Sequence, residues 1–196
     1  MRKKILLAVT AAALLTAVVP AMAQADDWAV NGTPITGTTA ATATGVLTLN
    51  APATGVTVSC EVTISLSLDP AAAGSVTAVA FATPCDTNIN ANCKVVAASA
   101  SNLPWAIAGD ATAAEAAISG IQFSNTFATT PFCGPFSGDA VTATAAADIV
   151  PTVSGNTITF NGTSSGVLGS ALGNQNLTGS LDLVDVANGD PVTLVP

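Results

Sequence analysis

Four cysteines are the residues of this chain best suited to a covalent role: Cys60, Cys85, Cys93 and Cys133. In an oxidising compartment, an even number of cysteines most simply forms two disulfides, although four cysteines allow three different pairings. The chain contains neither a Cys-x-x-Cys pair nor any His, so the spacing does not favour a redox or zinc site. The cysteines are therefore predicted to brace the fold.

Hairpin register selects the first pair. A loop centred between Ala72 and Ala73 would place opposite each other the residues whose numbers sum to 145. Cys60 and Cys85 satisfy this condition, and their side chains would then meet across neighbouring antiparallel strands. We predict a Cys60–Cys85 disulfide.

The remaining two cysteines pair by elimination. A turn centred on Ala113 would oppose residues whose numbers sum to 226, which Cys93 and Cys133 satisfy. Pro104 and Pro131 interrupt the strands of this second hairpin, and a bulge would shift the register. The second predicted disulfide is Cys93–Cys133.

Acid–base catalysis has few side chains available in this chain. His and Tyr are absent, which excludes Ser-His-Asp and Cys-His mechanisms and removes the commonest metal ligand. Two carboxylates can hydrolyse glycosides without His, but no pair stands out, and turn formation explains the acids beside Pro, Gly or Cys, namely Asp69, Asp86, Asp110, Asp139 and Asp190. We expect no enzymatic activity and no cofactor, with a two-carboxylate hydrolase as the least favoured alternative.

Two other places are candidates for ligand contact. The segment 182–190 concentrates oxygen ligands suitable for Ca²⁺, in Asp182, Asp185, Asn188 and Asp190. It lacks the EF-hand spacing, and a hairpin turn there explains the same residues. Of the two tryptophans, Trp28 lies close to the predicted mature N-terminus and is the better candidate for an exposed contact with a ligand.

The first 25 residues indicate the destination of the product. Basic residues at positions 2–4 precede an apolar run from Ile5 to Val19, and Ala-x-Ala cleavage sites follow. This is the pattern of a secretory signal peptide, which we assign to residues 1–25. No later apolar run is long enough to span a bilayer. We expect a secreted protein, extracellular or associated with the cell surface, without a membrane span.

Loss of the signal peptide would make the protein strongly acidic. Lys94 would be the only basic residue against twelve acidic residues, a net charge of about −11. Such a surface repels nucleic acid and anionic lipid, since both require Lys or Arg to neutralise phosphate. The partners that remain are cell-surface components and further copies of the chain itself.

The pattern of apolar residues determines the elements that must position these side chains. Val56 to Leu68 alternates apolar and polar residues at strict period two, which predicts a half-buried strand. Shorter β-branched runs follow, separated by turns such as Gly155-Asn156 and Asn188-Gly189, and no amphipathic helix of ten residues occurs. We predict an all-β fold, an antiparallel β-sandwich of Ig-like or jelly-roll-like type braced by two disulfides. Residues 26–196 would form a single domain with an extended N-terminal arm over about residues 26–44.

Five segments resemble the alkane oxidation protein activator family of small secreted bacterial proteins. They are Gly45–Leu49, Gly55–Cys60, Pro84-Cys85, Gly155–Gly162 and Leu177–Leu181, which read GVLTL, GVTVSC, PC, GNTITFNG and LTGSL. Together they cover less than half of the predicted mature chain. The resemblance implies an extracellular, non-enzymatic protein of the cell surface or biofilm matrix that aids adhesion or contact with hydrophobic substrates. It implies no catalytic residues.

The leading interpretation is a secreted, non-enzymatic bacterial surface or extracellular-matrix protein with an adhesive or interfacial role. A secreted ligand-binding or glycan-binding β-sandwich module is the alternative. In an assembly variant of the first interpretation, Thr33–Thr44 or Val192–Val195 would complete the sheet edge of a neighbouring copy by strand addition.

Overall fold

The computed structural model describes residues 26–162 and 166–196, so the predicted signal peptide lies outside the described residues. Most of the described chain is antiparallel β-structure, with almost no helix, which confirms the predicted fold class. The strands are β1 (Asp27–Val30), β2 (Thr33–Pro34), β3 (Thr39–Ala51), β4 (Val56–Leu68), β5 (Ala73–Thr87), β6 (Lys94–Ala100), β7 (Trp105–Asp110), β8 (Glu115–Ile118), β9 (Gln122–Phe127), β10 (Ala140–Ala145), β11 (Thr152–Ser154), β12 (Thr157–Asn161), β13 (Val167–Ser170), β14 (Gly173–Asp185) and β15 (Val192–Val195). A short 3₁₀ segment covers Pro131–Phe136. Within the described residues, no helix is both long and apolar enough to cross a membrane.

Four long strands form the central layer, in the order β14-β3-β4-β5. The strict alternation of Val56–Leu68 is reproduced in β4, where the apolar residues are buried and the polar residues between them are exposed or half-buried. Each of the four strands has between 13 and 15 residues, well above the usual strand length of about 5–6. Their length allows β5 and β14 each to pair with two different shorter strands, one toward each end.

Eight shorter strands complete two lobes around this layer. At one end, β7, β8, β11 and β12 close a circuit with the long strands through the β5–β7 and β12–β14 pairings. At the other end, β6, β9, β10 and β13 close a second circuit through the β5–β6 and β13–β14 pairings. We call these the first and second lobes. One continuous apolar core fills both lobes.

A small sheet of β15, β1 and β2 adds the N- and C-terminal strands to the fold. It buries Trp28 and Ala29 completely, and Val192 of β15 is likewise buried. Residues 39–44 already belong to β3, where Thr44 pairs with both Thr63 and Asp182. The N-terminal region is therefore integrated in the sheets and differs from the extended arm predicted over residues 26–44.

Both predicted disulfides are present. Cys60 is bonded to Cys85 with a Cα–Cα distance of 4.7 Å, and Cys93 is bonded to Cys133 with a Cα–Cα distance of 4.8 Å. The first joins β4 to β5 within the central layer. The second joins the residue that precedes β6 to the 3₁₀ segment at Pro131–Phe136. The pairing predicted from the cysteine positions is confirmed.

The hairpin register from which the Cys60–Cys85 disulfide was predicted is correct only beside the disulfide. Opposed residue numbers sum to 142 at Leu68 and Gly74, beside the turn, and to 145 at Ser59 and Asp86, beside the disulfide. Two irregularities in the β4–β5 ladder account for the difference, because each places extra residues on β5. The predicted centre of the loop was wrong, and the bulges bring the correct cysteines together.

Cys93 and Cys133 lie beyond the ends of two antiparallel strand pairings, one enclosed by the other in the sequence. The inner hairpin joins β7 to β8, where Asp110 faces Glu115. The outer pairing joins β6 to β9, where Val95 faces Phe127 at a residue sum of 222. Cys133 itself is in the 3₁₀ segment, beyond the end of β9. The predicted turn near Ala113 is thus close to the observed one, but no single hairpin carries both cysteines.

Candidate binding surface

The outward side of the sheet carries two rows of small, mostly polar side chains. Cross-strand pairing aligns them over six strands, β11-β12-β14-β3-β4-β5. We call these twelve residues the hydroxyl face: Ser154, Thr157, Asp182, Thr44, Thr63 and Ala80 in one row, and Thr152, Thr159, Ser180, Val46, Glu61 and Ala82 in the other. All twelve are exposed or half-buried. At about 4.8 Å between strands, each row is about 24 Å long.

Hydrogen bonds between neighbouring strands order part of this face. The Thr157 hydroxyl donates to Asp182 Oδ1 at 3.0 Å, and the hydroxyl oxygens of Thr159 and Ser180 are 3.2 Å apart. Further along, the hydroxyls of Thr44 and Thr63 have no hydrogen-bond partner among the described residues. The face therefore combines hydroxyls that are held in place with hydroxyls available to an external partner.

A surface depression of about 450 Å³ lies over β3, β4 and β5 at one end of the hydroxyl face. Thr44, Val46, Thr63 and Ala80 line it, and Glu61 is the only ionisable side chain in its lining. Val46 is 47% exposed there, and Glu61 has no hydrogen-bond or ion-pair partner within the described chain. The depression offers a small apolar floor, hydroxyls and one carboxylate.

A second depression, of about 280 Å³, continues the first along β4 and β5. It shares Val46, Glu61 and Ala82 with the first and extends to Asp86. Lys94, the only basic residue after position 4, forms an ion pair with Asp86. The one cation of the described chain is thus already paired, so the electrostatic character of this surface is acidic.

Two glycines allow β3 and β14 to approach closely beside the depression. A Cβ on Gly45 would lie 2.1 Å from the Ser180 carbonyl oxygen, and a Cβ on Gly179 would lie 2.1 Å from the Val46 carbonyl oxygen. Gly179 also has a φ of +134°, which disfavours any residue with a side chain. The close approach of β3 and β14 beside Val46 therefore depends on both glycines.

Trp28 does not contact a ligand in the way that its position suggested. Its relative exposure is 0%, and its indole Nε1 donates to the Ala73 carbonyl oxygen at 2.9 Å. The prediction of an exposed Trp28 is corrected, because pairing of β1 with β15 brings the indole into the core. Nothing in the local sequence marked this pairing, which joins the two ends of the described chain.

The four predicted calcium ligands do not converge. Asp185 is only 4% exposed, and its carboxylate accepts hydrogen bonds from the backbone N–H groups of Ala187, Asn188 and Asp190 at 2.6–3.0 Å. Asp182 faces outward on the hydroxyl face, bonded to Thr157. No group of three or more metal-ligating acids or cysteines occurs in residues 26–162 and 166–196. The turn explains these residues, and a calcium site does not.

Several other acids also perform structural roles in turns. Asp69 accepts a hydrogen bond from Thr38, and Asp110 accepts one from the Ala113 backbone at 2.8 Å. Only one carboxylate, Glu61, lines the larger depression. The adjoining depression adds Asp86, whose carboxylate is already in an ion pair with Lys94, so Glu61 is the one unpaired carboxylate that these two linings present.

Sequence reasoning missed the residues that form the candidate surface, Glu61 and Val46 among them. The alternation in β4 shows that Glu61 faces outward, but it does not show which strands lie beside it. That information comes from pairings such as Val46 with Glu61 and Ser180 with Val46, which join residues far apart in the chain.

No family model matches the chain, and no curated protein or solved structure matches it either.

Proposed function

We propose that this is a secreted, non-enzymatic surface or extracellular-matrix protein that makes adhesive contacts through its hydroxyl face. The observation that carries the proposal is the composition of that face, where seven of the twelve residues bear hydroxyls and two bear carboxylates. The free-energy cost of desolvating such a face is small. Its hydroxyls can form hydrogen bonds to the partner, its methyl groups bury small apolar areas, and few charges have to leave water.

The rest of the molecule supports an extracellular location. Two disulfides suit an oxidising compartment, and the predicted signal peptide supplies a route of export. The resemblance to the alkane oxidation protein activator family implies the same kind of role.

Charge placed on the hydroxyl face tests this role directly. Thr44→Glu combined with Thr152→Glu should reduce binding to a neutral hydroxylated film at least fivefold, measured by quartz crystal microbalance. The control is Thr112→Glu with Thr142→Glu, which adds the same charge at two exposed threonines outside the face and should bind as the wild type does. Equal loss in both double variants would show that net charge, and not this face, governs adhesion.

Binding of a small polar ligand or a glycan is a second candidate function. The depression of about 450 Å³ favours it, since Glu61 and the Thr44 and Thr63 hydroxyls there have no partner in the described chain. A glycan array should then show ligands whose signal is lost in Glu61→Gln and kept in Glu115→Gln, a matched acid outside the depression. A silent array would remove this candidate and leave the adhesive role standing.

A further inference from the structure

The second lobe contains two amide side chains in an otherwise apolar interior. Asn125 in β9 and Gln175 in β14 are each 5% exposed. Asn125 occupies an inward position between Phe123 and Phe127, where the alternation of β9 calls for an apolar residue. Burial of an amide is unfavourable unless its donors and acceptor are satisfied, so these two residues require partners.

The protein itself satisfies these amides only in part. Gln175 donates from Nε2 to the Ser170 hydroxyl at 2.9 Å, whereas the Asn125 carboxamide bonds to no side chain or backbone group of the described residues. Among the described residues, every side-chain nitrogen or oxygen that is fully inaccessible to solvent has a hydrogen-bond partner. The Asn125 amide must therefore border space that a water-sized sphere can reach.

Two small cavities provide that space, one on each side of Asn125. Both are lined by Leu49, Val58 and Asn125, and each has a volume of about 10 Å³. The cavity that also contains Gln175 is here called the amide cavity. The other, whose remaining lining is apolar side chains and a disulfide sulfur, is called the apolar cavity: Leu47, Cys60, Phe81, Phe123 and Leu177.

We propose that the amide cavity binds one internal water molecule that bridges the Asn125 carboxamide and Gln175 Oε1, while the apolar cavity stays dry. About 10 Å³ is the smallest volume that holds one water, and a buried water needs two or more polar partners. Only the amide cavity presents two polar side chains. The water links β9 to β14 across the interior of the second lobe, and the inference does not depend on the adhesive role.

The wild-type protein with both disulfides formed provides the first test. In water-selective NMR spectra, the side-chain amide protons of Asn125 and Gln175 should show cross-peaks to a long-lived water. The apolar side chains Leu47 and Leu177 should show none. A folded wild-type protein without a water contact at Asn125 would overturn the proposal.

Variants then assign the water to the two amides. Asn125→Leu and Gln175→Met should each abolish the water cross-peak at the remaining amide. Asn50→Leu changes an asparagine of β3 that lines neither cavity, and it should leave the signal unchanged. Persistence of the water in both cavity variants would assign it to backbone groups and refute the proposed bridge. If either variant fails to fold, the wild-type spectra still decide.

Discussion

Single residues without side chains shape the contact between β3 and β14. Gly45 and Gly179 stand where a Cβ would overlap a carbonyl oxygen of the neighbouring strand. Since backbone cannot move aside as a flexible side chain can, even a methyl group has no space there. At this scale, the spacing of β3 and β14 requires glycine at both positions.

Gly45→Ala should destabilise the protein by at least about 3 kcal/mol, because the new Cβ forces the two strands apart. Denaturant-induced unfolding monitored by circular dichroism measures this loss. Gly37→Ala is the control, since a Cβ there meets nothing within 4 Å, and it should change stability by no more than about 1 kcal/mol. Similar denaturation midpoints for the Gly45 and Gly37 variants would contradict the close approach of β3 and β14 at Gly45.

Asp185 organises the turn between β14 and β15. Asp185→Ala should lower stability by about 3 kcal/mol, because three backbone N–H groups lose their charged acceptor. Asp182→Ala removes a single exposed bond to Thr157 and should cost less than about 1 kcal/mol.

If Asp182 and Asp185 instead bound a cation, millimolar Ca²⁺ would raise the midpoint of thermal unfolding. We expect a shift of less than about 1 °C.

Strands and their irregularities act at the next scale. The bulges in β5 carry the ladder from one register to another, which brings Cys85 beside Cys60. The Cys93–Cys133 disulfide joins the residue that precedes β6 to a segment that forms no ladder, the 3₁₀ turn at Pro131–Phe136. No backbone hydrogen bond of the described residues joins that turn to β6, so the covalent bond is its direct connection to the strand.

Removal of the second disulfide tests this element. Cys93→Ser with Cys133→Ser should lower stability by about 4 kcal/mol, as loop-closure entropy predicts for a separation of 40 residues. Urea unfolding under non-reducing conditions measures the loss. The corresponding Cys60→Ser and Cys85→Ser pair, separated by 25 residues, should lose nearly as much. A loss below about 1 kcal/mol would show that the turn is held by packing alone.

Closure is the main property of the whole molecule. Both lobes complete circuits of strands, so β12 and β6, the last strands in the order of the long sheet, each have a second pairing. The outer side of β5 is paired only at its two ends, with β7 over Ala73–Val76 and with β6 at Cys85 and Asp86. Free edges are where strand addition and aggregation occur. The assembly hypothesis assigns Thr33–Thr44 or Val192–Val195 to a neighbouring copy. Within its own chain, β1 pairs with Thr33 and Pro34 and with Val192–Val195, and Thr39–Thr44 belongs to the paired strand β3.

Deletion of residues 192–196 separates folding from assembly. β15 pairs with β1 and covers Trp28, so the shortened chain should lose at least about 3 kcal/mol of stability with the burial of that indole. Unfolding curves and tryptophan fluorescence measure this outcome. A shortened chain that keeps its stability but loses surface attachment would support strand donation.

The amino-acid sequence by itself determined the local properties of this protein. Strict alternation in Val56–Leu68 specified a strand and its buried side, because successive side chains point to opposite faces. The number and positions of the cysteines led to both disulfides. The acidic character and the absence of His follow from composition alone.

Tertiary structure decided everything that depends on distant pairing. Trp28 is buried because β1 meets β15, and Val46 lies between Ser180 and Glu61 because β3 lies between β14 and β4. A period-two pattern is the same whichever strands are neighbours, so it cannot report these contacts. The hydroxyl face and its depression exist only once six strands from distant parts of the chain are placed side by side.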